Sequence, residues 1–158
     1  MIIHLNPANM NKRLIFLFIL AAVISCMKQE DCRETPYPVS QFESEYGCKD
    51  TKHTLHINML NNVKIIRDKS TYDAEVYGDC HPDINFDAYD LVIGRQVTDN
   101  LNDTITYELK NTCPGNELML TINLIQSPAA GPDTVTYHAL IQKLDYSGNL
   151  VVNLLLSQ

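Results

Sequence analysis

Leu118-Met119-Leu120-Thr121-Ile122-Asn123-Leu124 is the stretch that decides the fold class. Leu118, Leu120, Ile122 and Leu124 occupy every second position, the period of a strand with one buried face. The same phase recurs on either side of it. Ile105, Tyr107 and Leu109 form an inward set before it. Val135, Tyr137, Ala139 and Ile141 form a third set, and Leu150, Val152, Leu154 and Leu156 a fourth. Polar or Gly/Pro-marked segments separate these sets: Thr98 to Asp103, Pro114-Gly115-Asn116, Ser127 to Asp133, and Asp145 to Asn149. Short connections of that kind predict antiparallel neighbours.

Upstream, Tyr89 to Val97 carries Leu91-Val92-Ile93, apolar on both faces, which suits a strand covered on both sides. His53 to Leu60 alternates, with Leu55, Ile57 and Met59 on one face and Thr54, His56 and Asn58 on the other. Asn61-Asn62 suits a tight turn because Asn tolerates positive φ, with Val63 to Arg67 returning as the next strand. Ser70-Thr71-Tyr72-Asp73 offers a helix start and Gly78 a C-cap, which predicts a helix over Thr71 to Tyr77. The expected fold is mainly β (α+β), with about seven antiparallel strands as a sandwich or open barrel and one short helix.

The N-terminal region is of another kind. Lys12 and Arg13 precede an unbroken apolar run from Leu14 to Ile24, the layout of a secretory signal peptide. The run is short of the roughly 20 residues that a helix needs to cross a hydrocarbon core. Met10 directly precedes the cations, so residues 1–9 read as an extension upstream of it. Val23-Ile24-Ser25-Cys26 resembles the lipobox of bacterial lipoproteins, which implies cleavage before Cys26 and acylation of that residue. Two or three acyl chains, at about 0.8 kcal/mol per buried CH₂, hold a protein firmly to a membrane. Cys26-Met27-Lys28-Gln29-Glu30-Asp31 is similar to the charged export signal of Bacteroidota surface lipoproteins. The resemblance implies an outer-membrane lipoprotein, periplasmic or cell-surface facing, with the surface favoured. The expected organisation is 1–25 signal peptide, 26–52 lipidated cysteine and tether (broken by Pro36 and Pro38), and 53–158 β-rich domain.

The chain has 158 residues and a formal charge of −7; without residues 1–25 it has 133 and −9, a single-domain size. No basic stripe appears, which argues against nucleic acid as a partner. Of the 5 cysteines, Cys26 is assigned to the anchor. Cys32, Cys48, Cys80 and Cys113 then form an even set in an exported domain, a disulfide framework with three connectivities. Cys32–Cys48 with Cys80–Cys113 is the favoured pairing. Zinc is disfavoured because no Cys-x₂₋₄-Cys knuckle is present.

Few residues suggest chemistry. His53 and His56 form an H-x-x-H pair, but in a strand that spacing places them on opposite faces. Asp83-x-Asn85-x-Asp87 imitates the first half of an EF-hand, yet its sixth position is Ala88 and its twelfth Gly94. The alternatives are a non-EF calcium loop and Asx-turns in which these residues satisfy their own backbone. His81 and His138 are candidates to pair with acids, although His138 shares the polar phase of its strand with Thr136. No Gly-x-Ser-x-Gly elbow, phosphate-cradling loop or His-Glu-x-x-His appears. Neither a catalytic residue, a metal site nor a cofactor is therefore assigned. Asp103-Thr104-Ile105 and Asp133-Thr134-Val135 resemble the O-glycosylation sequon of Bacteroidota envelope proteins, which implies Thr104 and Thr134 as glycan acceptors.

From Ser70 to about Lys143 the order is a short helix, an acidic loop with Asn85-Phe86-Asp87, the apolar strand Leu91-Val92-Ile93-Gly94, then hairpins. This loosely resembles the β domain of the small lipoprotein subunits of protease complexes, which implies an accessory role and no catalysis of its own. The family's Gly-Gly-Tyr turn has no counterpart between Arg95 and Tyr107, so no functional residue is carried over. The expected function is a lipid-anchored, non-enzymatic envelope protein whose β-domain binds another envelope protein or a surface ligand. The alternatives are an accessory or inhibitory subunit of an envelope protease and, from another class, a metal-dependent hydrolase using His81 or His138. The polar segments Asp79 to Asp87, Thr98 to Asp103 and Ser127 to Asp133 are the expected contact regions. Thiol titration of the denatured, unreduced Cys26→Ser protein is expected to find no free thiol.

Overall fold

The computed structural model describes residues 33–113, 117–143 and 149–158. Two very long strands dominate it: β6 (Tyr89–Asn111) and β7 (Leu118–Gln142). They pair antiparallel from Tyr89↔Gln142 to Asn111↔Leu118. Before them come β1 (Pro36–Tyr37), β2 (Val39–Ser40), α1 (Phe42–Tyr46), α2 (Thr51–Thr54), β3 (Leu55–Ile57), β4 (Asn62–Ile66), α3 (Lys69–Glu75) and β5 (Val76–Gly78). After them comes β8 (Leu150–Ser157). The mainly β class is as expected, with three short helices among the described residues where one was expected.

The long hairpin is folded over on itself. Its register slips three times between Thr98 and Thr104, and there the ladder is interrupted. Residues 89–98 of β6 and 133–142 of β7 make one half of the sheet, flanked by β4 and β2. Residues 104–111 and 118–125 make the other, flanked by β1 and β8. Val92, Val135, Tyr137, Ala139 and Ile141 from the first half share one buried cluster with Leu109, Leu118, Leu120, Ile122 and Leu124 from the second. All four sequence phases therefore contribute to one interlayer core, although Leu156 at the end of β8 is 51% exposed.

Thr98 to Asp103 and Ser127 to Asp133, expected as connections between separate strands, are instead the crease. Polar side chains take the place of lost ladder bonds there. The Asn102 side-chain amide donates to the carbonyls of Thr104 (3.3 Å) and Ile125 (3.1 Å). Asn102 N–H donates to Asp133 (3.1 Å), Asn100 N–H to Gln126 (3.3 Å) and the Thr98 hydroxyl to Asn100 O (2.7 Å). Lys52 on α2 donates to the carbonyls of Asn102 (2.9 Å) and Asp103 (3.2 Å). Pro128 and Pro132, which have no N–H, are accommodated in such a bulged segment.

The outer face of the first half is also covered. Leu91, Ile93 and Leu140 pack in a second cluster with Phe42, Leu55, Ile57, Ile66, Tyr72, Val76, Ile84 and Phe86. Leu91-Val92-Ile93 is thus buried on both faces, as its composition indicates, because Val92 points to the interlayer core and its neighbours to this one. At Gly94 a Cβ would collide with Asn62 O and the Tyr137 hydroxyl. Glycine leaves room for that hydroxyl to donate to Asn62 O at 3.1 Å.

Several local expectations are corrected. β3 does not pair with the strand that follows it; it pairs with β5, while β4 pairs with β6. Asn61 has the positive φ expected (52°), but it turns the chain between layers. The helix is Lys69–Glu75, capped by Asp68, whose carboxylate accepts from Thr71 N–H at 2.8 Å. Gly78 is not its C-cap; it lies in β5 at φ 150°, where a Cβ would strike Thr54 O. β8 pairs parallel to β7, not antiparallel. Leu150, at the start of β8, thereby lies beside Leu118, at the start of β7. Arg33–Gln158 forms one compact unit, so residues 36–52, expected as tether, are part of the domain. Phe42 is fully buried.

The disulfide is Cys48–Cys80, Cα–Cα 5.8 Å, in place of the favoured Cys32–Cys48 and Cys80–Cys113. It ties the α1 region to the Cys80 loop across the second cluster, and its 32-residue separation stabilises by about 2–4 kcal/mol. Cys113 is also disulfide-bonded, and Cys32 lies outside the described residues. Asn102→Ala is expected to lower the unfolding free energy by about 1–2 kcal/mol, because it removes two side-chain donors from part-buried carbonyls at the crease. Thr106→Ala, exposed on the same strand, should shift it by less than about 0.5 kcal/mol. Urea denaturation measures both.

Candidate functional site

Sheet edges distinguish one surface from the rest. β1 and β2 are two residues each, with Pro36 in β1 and Pro38 between the two, and β4 carries Lys64. Proline, charge and brevity are the usual protections of an edge. β8, Leu150-Val151-Val152-Asn153-Leu154-Leu155-Leu156-Ser157, has none of them. It runs eight residues without a charge, and among the described residues it pairs only with β7. Val151 is 41% exposed, Leu155 44% and Leu156 51%. Its inner residues Leu150, Val152 and Leu154 pack against the interlayer core and hold the strand in place. An extended row of backbone donors and acceptors is thereby offered beside apolar side chains.

A buried polar cluster lies elsewhere, where α1 meets β7. His138, expected on a polar phase, is 2% exposed, and Thr136 is 2% exposed. Their phase faces the helical layer. The Thr136 hydroxyl donates to Leu55 O at 2.5 Å. His138 Nε2 accepts from Phe42 N–H at 3.0 Å, which satisfies an orphan donor at the start of α1. Glu43 Oε2 lies 3.3 Å from the same nitrogen. The two contacts need opposite protonation of Nε2: a neutral ring accepts from Phe42, and a proton on Nε2 turns to Glu43. Burial pushes the Glu43 carboxyl up, but His138 and the Thr51 hydroxyl outweigh it and hold the carboxyl down at about 2. The Tyr107 hydroxyl accepts from His138 N–H at 3.1 Å, and burial drives its own ionisation well above the usual range. A cavity of about 250 Å³ adjoins this cluster.

The other residues singled out in the sequence have structural partners. His81 stacks on Tyr72 with ring centroids 4.3 Å apart and stands 3.9 Å from Asp73. His53 is in α2, not in a strand, and sits 3.0 Å from Asp50 and 3.6 Å from Asp133. His56 is on β3 and contacts Tyr77. Asn85 accepts from Asp87 N–H at 3.1 Å, an Asx-turn, and Asp83 pairs with Lys69 at 3.0 Å. No group of three or more His, Cys, Asp and Glu is gathered for a metal among the described residues. Of the expected contact segments, two form the crease, and Asp79 to Asp87 is anchored by buried Ile84 and Phe86. Thr104 is exposed within β6, and Thr134 is half-buried in β7. Cys26 and the apolar run before it lie outside the described residues. No helix among the described residues is long and apolar enough to cross a membrane.

Two surfaces escaped sequence reasoning: the open edge of β8 and the setting of Arg95 beneath β3. For β8 the signal was available, since residues 149–158 carry no charge. No protein-family model matches the chain, and no curated protein or solved structure matches it.

The Glu43 carboxyl, held at about 2 against an ordinary 4.5, stabilises the fold above pH 4.5, and that stabilisation is lost as pH falls towards 2. Thermal melts across this window should show a shallower fall in Tm for Glu43→Gln than for the parent. Equal slopes would remove Glu43 from the acid response.

Proposed function

We propose that this protein is a lipid-anchored, non-enzymatic binding module of the cell envelope that takes up an extended apolar strand of another envelope protein along β8. The uncharged open edge of β8 is the observation that carries this proposal. Backbone hydrogen bonds to an added strand supply affinity, and side chains alternating across the edge supply selectivity. The lipobox-like Val23-Ile24-Ser25-Cys26 supports delivery of the domain to a membrane surface, and the disulfides suit an oxidising compartment. The histidines and the acidic Asp83–Asp87 loop serve helix capping, stacking and turns, which supports binding over catalysis.

Cys26→Ser is expected to move the protein from the membrane fraction to the soluble fraction; retention in the membrane would refute the anchor. The soluble form should recover a partner from solubilised envelope, and Leu155→Lys, outward-facing on β8, should reduce that recovery at least tenfold. Equal recovery by both would remove β8 from the interface. Self-association lost in Leu155→Lys would replace the foreign strand with a second copy of this chain. If the recovered partner is a protease, its activity with and without the domain decides the accessory or inhibitory role.

A further inference from the structure

Arg95 occupies an unusual position for a cation in a chain of charge −7. It lies on β6 opposite Asn62 of β4 and Thr136 of β7, at the end of the face covered by β3 and β5. Its Nε is buried and has no hydrogen-bond partner among the described residues. Among the described residues no carboxylate pairs with it, whereas Arg67 is paired with Asp90 at 3.3 Å. Arg95 as a whole is partly exposed, so its guanidinium can be reached from the surface while Nε remains a buried donor to be satisfied.

Arg95 lines a cavity of about 420 Å³ together with Ile57, Met59, Leu60, Tyr77 and Thr134. Leu60 is 53% exposed and Tyr77 54%, so large apolar surfaces frame the opening. The rim is held in place: Asn61 N–H donates to Arg95 O at 2.7 Å, and Val97 N–H donates to Asn61 Oδ1 at 3.1 Å. His56 packs on Tyr77 with centroids 5.5 Å apart. A planar guanidinium matches a carboxylate in two parallel hydrogen bonds. Arg95 is the one cation among the lining residues, which suits a single negative charge; Ile57, Met59, Leu60 and Tyr77 offer apolar contact beside the polar Asn58 and Thr134.

We propose that this cavity binds a carboxylate borne on an apolar body, with Arg95 holding the carboxylate and Met59, Leu60 and Tyr77 covering the rest. The site is separate from β8 and does not depend on strand addition there. Octanoate and N-acetylphenylalanine, titrated into the detergent-solubilised full-length protein by calorimetry, test it, with octanol and N-acetylphenylalaninamide as neutral controls. At least one acid should bind, and its neutral control at least tenfold more weakly. Arg95→Gln should weaken the acid at least tenfold, and Arg95→Lys less. Leu60→Asp, at the exposed rim, should also weaken it at least tenfold; it keeps Arg95 in place and serves if Arg95→Gln does not fold. Octanoate alone would identify an acyl-chain carboxylate, and N-acetylphenylalanine alone a peptide carboxyl terminus. No binding of either acid at millimolar concentration, equal binding of the neutral controls, or undiminished binding by the variants would overturn the proposal.

Discussion

Asn102 and its neighbours hold the crease on which the rest of the molecule depends. A flat hairpin of two strands longer than twenty residues would expose both faces and bury little. Folding it over lets the chain cover its own apolar face, but the bend interrupts the ladder and strands backbone groups in a half-buried place. The side chains of Thr98, Asn102, Gln126 and Asp133 take up those groups, and Lys52 reaches across from α2 to two more carbonyls. The chain enters along both outer edges, with Tyr37 on β6 and Val39 on β7, so the first strands bridge the two halves.

The crease also determines where polarity can be buried. Once one face of the β6–β7 pair closes against itself, the other face of the first half must be covered by something else. Helices α1, α2 and α3, the β3–β5 ribbon and the Cys48–Cys80 bond do this. Thr136 and His138 are enclosed as a result, and each is matched to a backbone group of the covering layer: Leu55 O and Phe42 N–H. Arg95 is on the same face, at the end of the covering layer, and its Nε has no such match among the described residues.

Open surface is therefore concentrated at the places the layers leave uncovered. β8 is added last, in parallel, and among the described residues its outer edge pairs with no other strand. The mouth beneath β3 is framed by Leu60 and Tyr77. Both are products of how layers end, and neither is written as a local motif.

Much of the fold was legible because burial leaves a period. The alternation in Leu118 to Leu124 and Val135 to Ile141, and the continuous Leu91-Val92-Ile93, record which faces are dry. Polar segments were harder, since a side chain that bonds to backbone looks the same in sequence whether the chain reverses or creases. Thr98 to Asp103 read as a turn for that reason. Cysteine count indicated bonding but not partners, because pairing depends on which loops the layers bring together. By itself the sequence determined the β class, the inward phases and the lipobox-like segment, since each is a pattern of neighbouring residues. Only the tertiary structure decided the fold-over, the parallel β8, the Cys48–Cys80 bond and the setting of Arg95, because each depends on contacts between residues far apart in the chain.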